Sequence, residues 1–273
     1  MIDLSLVECP GTLSVAVPGY LRFNDEVELP LASAGKLLLL AETAMEIDAG
    51  ILDPGELVDL EDDDRCPGPG LLTGLSLRRW PVADLALLTA AVSDNTATNA
   101  LLRRIGLSRV NAAASALGLS RTRLLDRIRE PRGPGHPATF ALGTAAELSR
   151  LASLIAGDQP WTRMVLGWMG SNTDRSLVPA LLPHDPETDA MPPVIAPGAV
   201  WVANKTGTDI GIRTDVGVMA ATRRIGYAVL ARGPAGSEHA LVAAVRQAGL
   251  AIAELAEPRV EDCCSVYQRI SGS

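Results

Sequence analysis

The sequence predicts an α/β (α+β) fold in which a strand-rich lobe is split by a long helical insertion. Three observations predict it. Alternating, β-rich segments lie near both ends of the 273-residue chain, and apolar stripes at helical spacing fill its middle. The length is large for one domain and small for two independent ones, which suits two interleaved lobes. Hydrophobic residues make up 47% and charged residues 21%, so the chain can bury a core and disorder is excluded as its main state. Aromatics are only 3%, so Leu, Ala and Val must fill that core.

The elements follow in order. Residues 12–18 alternate and read as a strand, Pro18-Gly19 turns the chain, and residues 20–31 return as a second strand. A helix is expected from about Ser33, behind a capping-type serine, to about Asp48. Residues 52–75 are rich in Asp, Gly and Pro and read as loop, with 61–64 a solvated acidic run. Helices are expected at 82–92, 96–104 and 107–117, an irregular loop at 120–139, and helices at 144–156 and 161–170. The Pro-rich stretch 183–198 reads as an insertion or linker. Strands at 199–206, 213–221 and 225–232 follow, the last two joined by a tight hairpin at Arg223-Arg224, and a helix covers 238–256. This gives one domain over 1–257, with an α/β lobe from 1–32 plus 196–257 and a helical lobe from 33–195. Residues 258–273 form a polar tail. A cleft between lobes is the expected place for a site.

Charge and composition exclude several classes. A net charge of −8 favours neither nucleic acid nor an anionic membrane as partner. The leucine run near residue 40 is too short to span a bilayer. The N-terminal stretch has no basic start and no long apolar core, so the chain as written is expected in the cytoplasm; a removed signal would place it in an extracellular or periplasmic space. Cys9, Cys66, Cys263 and Cys264 have neither metal-ligand spacing nor a disulfide framework. The expectation is a monomer acting on a small molecule without metal or organic cofactor.

The basic residues are more informative. Of 24, only two are lysines, Lys36 and Lys205. A coding bias toward Arg explains most of the imbalance but not the two that remain. A position that must shed a proton, or present a compact point charge, cannot accept Arg. Ser33-Ala34-Gly35-Lys36 places a serine and a lysine on one helical face, and a lysine of lowered pKa can activate such a serine. Lys205-Thr206-Gly207 joins a cation, a hydroxyl for a carboxylate and a glycine that permits close approach to a sheet edge. Between them, Ser93-Asp94-Asn95 can cap a helix, or supply a proton carrier (Ser93) and a carbonyl-holding amide (Asn95).

Taken together and in this order, the three motifs resemble the S-x-x-K, S-D-N and K-T-G set of penicillin-recognising serine enzymes. The chain is similar to class A β-lactamases over most of residues 12–256, including the stretch SDNTATN from Ser93 to Asn99 and the run Trp168-Met169-Gly170-Ser171-Asn172-Thr173. The resemblance implies a five-stranded antiparallel sheet flanked by the terminal helix, with an all-helical insert lobe. It implies Ser33 as nucleophile, Lys36 as base with Glu130 as the other possible base for acylation, and Ser93 as proton carrier to the leaving nitrogen. It places Asn95, Lys205, Thr206, Gly207, Thr208 and Arg213 at the substrate, with backbone N–H groups of Ser33 and Thr208 polarising the carbonyl. Glu130, in Asp126-Arg127-Ile128-Arg129-Glu130-Pro131, takes the place of the deacylation base, with one residue more than the family pattern. The family's Asn four residues later is here Pro134, which has no side-chain donor, so acylation is better supported than deacylation. A DD-peptidase or penicillin-binding-like protein, an intracellular serine amidase, esterase or acyltransferase, and a non-catalytic binding module remain as rivals.

Overall fold

The computed structural model describes residues 3–257. The expected polar tail, with Cys263 and Cys264, lies outside the described residues. The chain enters through β1 (Thr12–Val17) and turns into β2 (Leu21–Phe23), which pairs antiparallel with it. The expected second strand over 20–31 does not continue. Asn24 breaks it at φ 50°, and its side-chain amide donates to Leu13 O at 3.0 Å. The chain then leaves the sheet, and β3 (Leu29–Pro30) joins a different one.

A 3₁₀ turn at Ala32–Gly35 precedes α1 (Lys36–Asp48), so the helix proper starts three residues later than expected and Ser33 is not its cap. Ala32 causes the offset: its φ of 46° swings the chain sharply into the turn. β4 (Leu57–Asp59) and β5 (Arg79–Pro81) pair with each other inside and beyond the expected loop. The acidic run at 61–64 is not wholly solvated. Asp64 is buried, accepting from Arg103 Nη2 at 2.9 Å and from Glu61 N at 2.9 Å.

α2 (Val82–Ala91), α3 (Asn95–Ile105) and α4 (Leu107–Ala116) follow close to their expected spans. β6 (Arg123–Leu124) pairs with β7 (Ala141–Gly143), which also pairs with β3. The loop at 125–140 between them is thereby pinned at both ends. α5 (Ala145–Ile155) is capped by Thr144, whose hydroxyl accepts from Glu147 N at 3.2 Å, and α6 (Pro160–Gly170) starts on a proline.

β8 (Trp201–Asp209), β9 (Ile212–Ala220) and β10 (Arg224–Arg232) complete a five-stranded antiparallel sheet of order β2-β1-β10-β9-β8. Two details differ from expectation. β8 runs on to Asp209, so Lys205-Thr206-Gly207 lies within the strand rather than at its end, and Gly211 at φ 65° makes the following turn. β10 begins at Arg224, which moves its hairpin turn to 221–223.

The sheet buries both faces, and strand alternation sorts them. Ala228 and Leu230 pack with α1, α2, α5 and α6, whereas Tyr227, Val229 and Ala231 pack with α7 (Glu238–Ala256). α7 is long and apolar enough to cross a membrane by length and composition, but its apolar stripe covers this sheet face. Both cores are built mainly from Leu, Ala and Val.

Candidate active site

β8 is an edge strand, and its inner end lies against the 3₁₀ turn that carries Ser33. Gly207 makes this approach feasible. A Cβ there would collide with Leu31 O, Thr214 Oγ1 and Ala34 N. Thr214 Oγ1 stitches the junction by donating to Leu31 O at 2.8 Å. Gly35 does the same on the other side of the turn, where a Cβ would strike that of Ala141. Ser33 is therefore held between β8 and β7 on a turn with a left-handed residue immediately before it.

Ser93 follows α2 with its own φ of 55°. A non-glycine residue in this region is uncommon, and here it aims a serine at the cleft. Asp94 sets the local geometry. One carboxylate oxygen caps α3 by accepting from Ala97 N at 2.8 Å, and the other accepts from Leu71 N and Leu72 N at 2.5 and 2.8 Å. Asn95 donates to Pro67 O at 2.9 Å, so the S-D-N segment also anchors the loop around 66–72.

The two lysines converge on one hydroxyl. Lys36 Nζ donates to Ser93 Oγ at 3.1 Å, to Ser93 O at 2.6 Å and to Asn95 Oδ1 at 2.9 Å. Lys205 Nζ donates to the same Ser93 Oγ at 3.1 Å and to Thr206 O at 2.9 Å. Both side chains are fully buried. Burial, and after it the neighbouring charge of Lys205, holds the Lys36 ammonium well below the ordinary lysine range, with Asp94 opposing. Burial likewise pushes Lys205 down to about 8, against the pull of Asp174 and Asp215. A lysine that gives up its proton readily, beside one that keeps its charge at neutral pH, can relay protons among serine hydroxyls.

Ser33 sits where two recesses meet. The larger, of about 330 Å³, is lined by Ser33, Asn95, Glu130, Arg132, Phe140 and Thr208 among others. The smaller, of about 190 Å³, is lined by Ser33, Ser93, Thr173, Asp174, Thr206 and Thr208 among others. Glu130 is half exposed, its Oε1 3.7 Å from Arg132 Nη2. Its loop is fixed from below: Asn99 Oδ1 accepts from Ile128 N at 2.8 Å, and Asn99 Nδ2 donates to Ile128 O at 3.0 Å. Pro134 lies on the outer part of this loop.

The fold thus gathers Ser33, Lys36, Ser93, Asn95, Glu130, Lys205, Thr206 and Thr208 around one cleft, with Gly207 beneath. Arg213 stands apart from the lining of both recesses. Its register opposite Thr208 is suitable, but Nη1 donates to the carbonyls of Asp209 and Ile212 at 2.8 and 2.6 Å. The hairpin turn offers those carbonyls closer at hand than the cleft. His136 faces Gly133 on an exposed loop.

Two cleft residues carry no signal of their own in the sequence. Asp174 directly follows the Trp168–Thr173 run. Arg132 follows Glu130-Pro131 by one residue, and its Nη1 donates to Asp209 Oδ2 at 3.2 Å across the cleft mouth. Adjacency to the motifs was the only signal, since each otherwise reads as a solvated loop charge. Among the described residues, no group of three or more His, Cys, Asp or Glu could hold a metal ion. Cys9 and Cys66 are free thiols.

A helical insert beside an antiparallel sheet, with a serine and two buried lysines at their junction, defines a β-lactamase-like or penicillin-binding-protein-like enzyme. The chain belongs to the Beta-lactamase enzyme family, whose model matches residues 11–256, and membership makes it a hydrolase of amide bonds. A β-lactamase from Sphaerobacter thermophilus DSM 20745 is similar in structure, with TM-score 0.77 at 23% identity over 91% of each chain. PBP-A is similar with TM-score 0.75 at 21% identity, over 92% of this chain and 94% of that one. An ancestral (GNCA) class A β-lactamase is similar with TM-score 0.75 at 24% identity, over 90% and 95%. These likenesses speak for the fold. No curated protein sequence matches the chain.

Proposed function

We propose that the protein is a serine acyl hydrolase of the class A β-lactamase type, acting on strained or activated amides of small molecules through an acyl-enzyme on Ser33. The observation that carries this reading is the convergence of Lys36 and Lys205 on Ser93 Oγ, each at 3.1 Å, beside Ser33. Ser33 Oγ attacks the carbonyl carbon and its proton passes to Lys36, directly or through water. Backbone N–H groups of Ser33 and Thr208 receive the developing oxyanion. The carbon–nitrogen bond breaks, Ser93 hands a proton to the leaving nitrogen, and Lys36 resupplies it. Glu130 then draws a proton from a water that attacks the ester carbon, the carbon–Oγ bond breaks, and that proton is returned to Ser33 Oγ, which releases the acid and restores the enzyme.

One observation favours a slower second half-reaction, as in a penicillin-binding protein. Pro134 offers no donor to help Glu130 hold the water. Intact-protein mass spectrometry after mixing with benzylpenicillin or a cephalosporin separates these outcomes. Drug loss with little standing adduct supports hydrolysis, and a persistent drug-sized adduct supports slow release. Ser33→Ala is expected to abolish both. An adduct that survives Ser33→Ala, or neither adduct nor drug loss in the wild type, overturns the reading for β-lactams.

A further inference from the structure

The Thr206 hydroxyl, which the sequence offers to a substrate carboxylate, is already engaged. Its Oγ1 donates to Asp174 Oδ2 at 2.8 Å, so it presents only lone pairs to the cleft. The other oxygen of Asp174 accepts from Ser176 N at 3.0 Å and Ser176 Oγ at 2.6 Å. Both carboxylate oxygens are therefore fixed. Burial pushes the Asp174 carboxyl up, but the hydrogen bonds from Ser176 and Thr206 and the charge of Lys205 outweigh it and leave it below the usual carboxylate range. Asp174 is the one charged side chain lining the smaller recess.

The cations nearby are already hydrogen-bonded to protein groups, Lys205 at the wall of the recess and the others behind or beside it. Lys205 donates to Ser93 Oγ and Thr206 O. Arg175 donates to Gly170 O, Val202 O and Asn204 Oδ1 behind the recess. Arg213 holds the carbonyls of its own hairpin. A substrate carboxylate entering here meets a fixed anion, and like charges in a partly dehydrated cleft repel strongly.

We infer that the smaller recess receives a positively charged group on the leaving side of the scissile acyl bond, with Asp174 as its counter-charge. The leaving side is assigned because Ser93, the proton carrier to the leaving atom, lines this recess, whereas Glu130, the water-directing group, lines the larger one. The inference rests on the acyl-enzyme reading and names the substrate class for it: acyl donors whose leaving group carries a cation where penicillins carry a carboxylate.

Three thioesters with a common phenylacetylglycyl acyl group test this. Their leaving thiols are thiocholine (cationic), 2-hydroxyethanethiol (neutral) and mercaptoacetate (anionic). In each, the Ser33 Oγ–carbon bond forms, the carbon–sulfur bond breaks, and the thiol departs with the serine's proton. Acylation is expected to be fastest for the cation and slowest for the anion, with about tenfold or more at each step. Asp174→Asn, and independently Asp174→Ser, should shrink the cation-to-anion ratio at least about tenfold. Binding of the three corresponding amides to Ser33→Ala by calorimetry reads the same preference without chemistry. Preference for the anion, no preference, or an order unmoved by both Asp174 variants overturns the assignment. No thioester consumed, but the cationic amide bound tightest and that advantage lost with Asp174→Asn, overturns the acyl-enzyme reading and supports Asp174 as counter-charge.

Discussion

Each lysine titrates toward a different end of the pH scale of acylation. In the proposed mechanism Lys36 is the base and works only after losing its proton, so the rate should rise with pH through its depressed pKa. Lys205 supplies charge only while protonated, so the rate should fall as pH rises through about 8. A pH profile of kcat/KM for acylation is expected to show both limbs, and Lys205→Arg should move the basic limb upward because a guanidinium keeps its proton. In the proposed mechanism Glu130 serves the later step. Glu130→Gln is expected to slow deacylation by about 10²-fold or more with a smaller effect on acylation, so the acyl-enzyme accumulates in a mass-spectrometric time course. The gathering of Ser33, Lys36, Ser93 and Lys205 at one cleft was legible in the sequence because their three motifs occur together in order and lysine is scarce. Asp174 and Arg132 were not, because only the folded chain turns a loop charge inward. Arg213 shows the converse: its place in the strand was legible, but the competing hairpin carbonyls were not.

Between elements, the critical junction is that of β8 with the 3₁₀ turn at Ala32–Gly35. Gly207→Ala would drive a methyl group into backbone atoms that cannot rotate away. A stability loss of about 1–3 kcal/mol is expected from urea unfolding. Acylation should fall with it, as the strand is pushed back from Ser33. Helices were read well because an apolar stripe over several turns is a strong local signal. Strand ends and the split of the second strand were read poorly. They depend on single residues, such as Asn24 and Gly211, whose backbone angles are set by contacts made elsewhere.

Across the molecule, one core joins the sheet to the helical insert. Ala203, Val216 and Leu230 from the strands pack in the same cluster as Leu37, Leu85 and Leu148 from the helices. The lobes therefore share their hydrophobic interior, and a single cooperative transition is expected. Tryptophan fluorescence and far-UV circular dichroism should give coincident urea curves, since Trp161 lies in the insert and Trp201 in the sheet. The class of the fold was legible from the order of strands and helices. The sheet order was not read from the residues themselves, because β1 meets β10 from the opposite end of the chain and such pairing leaves no local mark.

The grip of Asn99 on Ile128 has a consequence for how such a protein can change over generations. The amide holds the N–H and the carbonyl of the loop, and those groups are the same in every residue but proline. The stretch carrying Glu130, Arg132 and Pro134 can therefore be rewritten side chain by side chain while its mooring stays intact. Lineages descended from one scaffold are free to try new cleft walls without first redesigning the interior that keeps them folded.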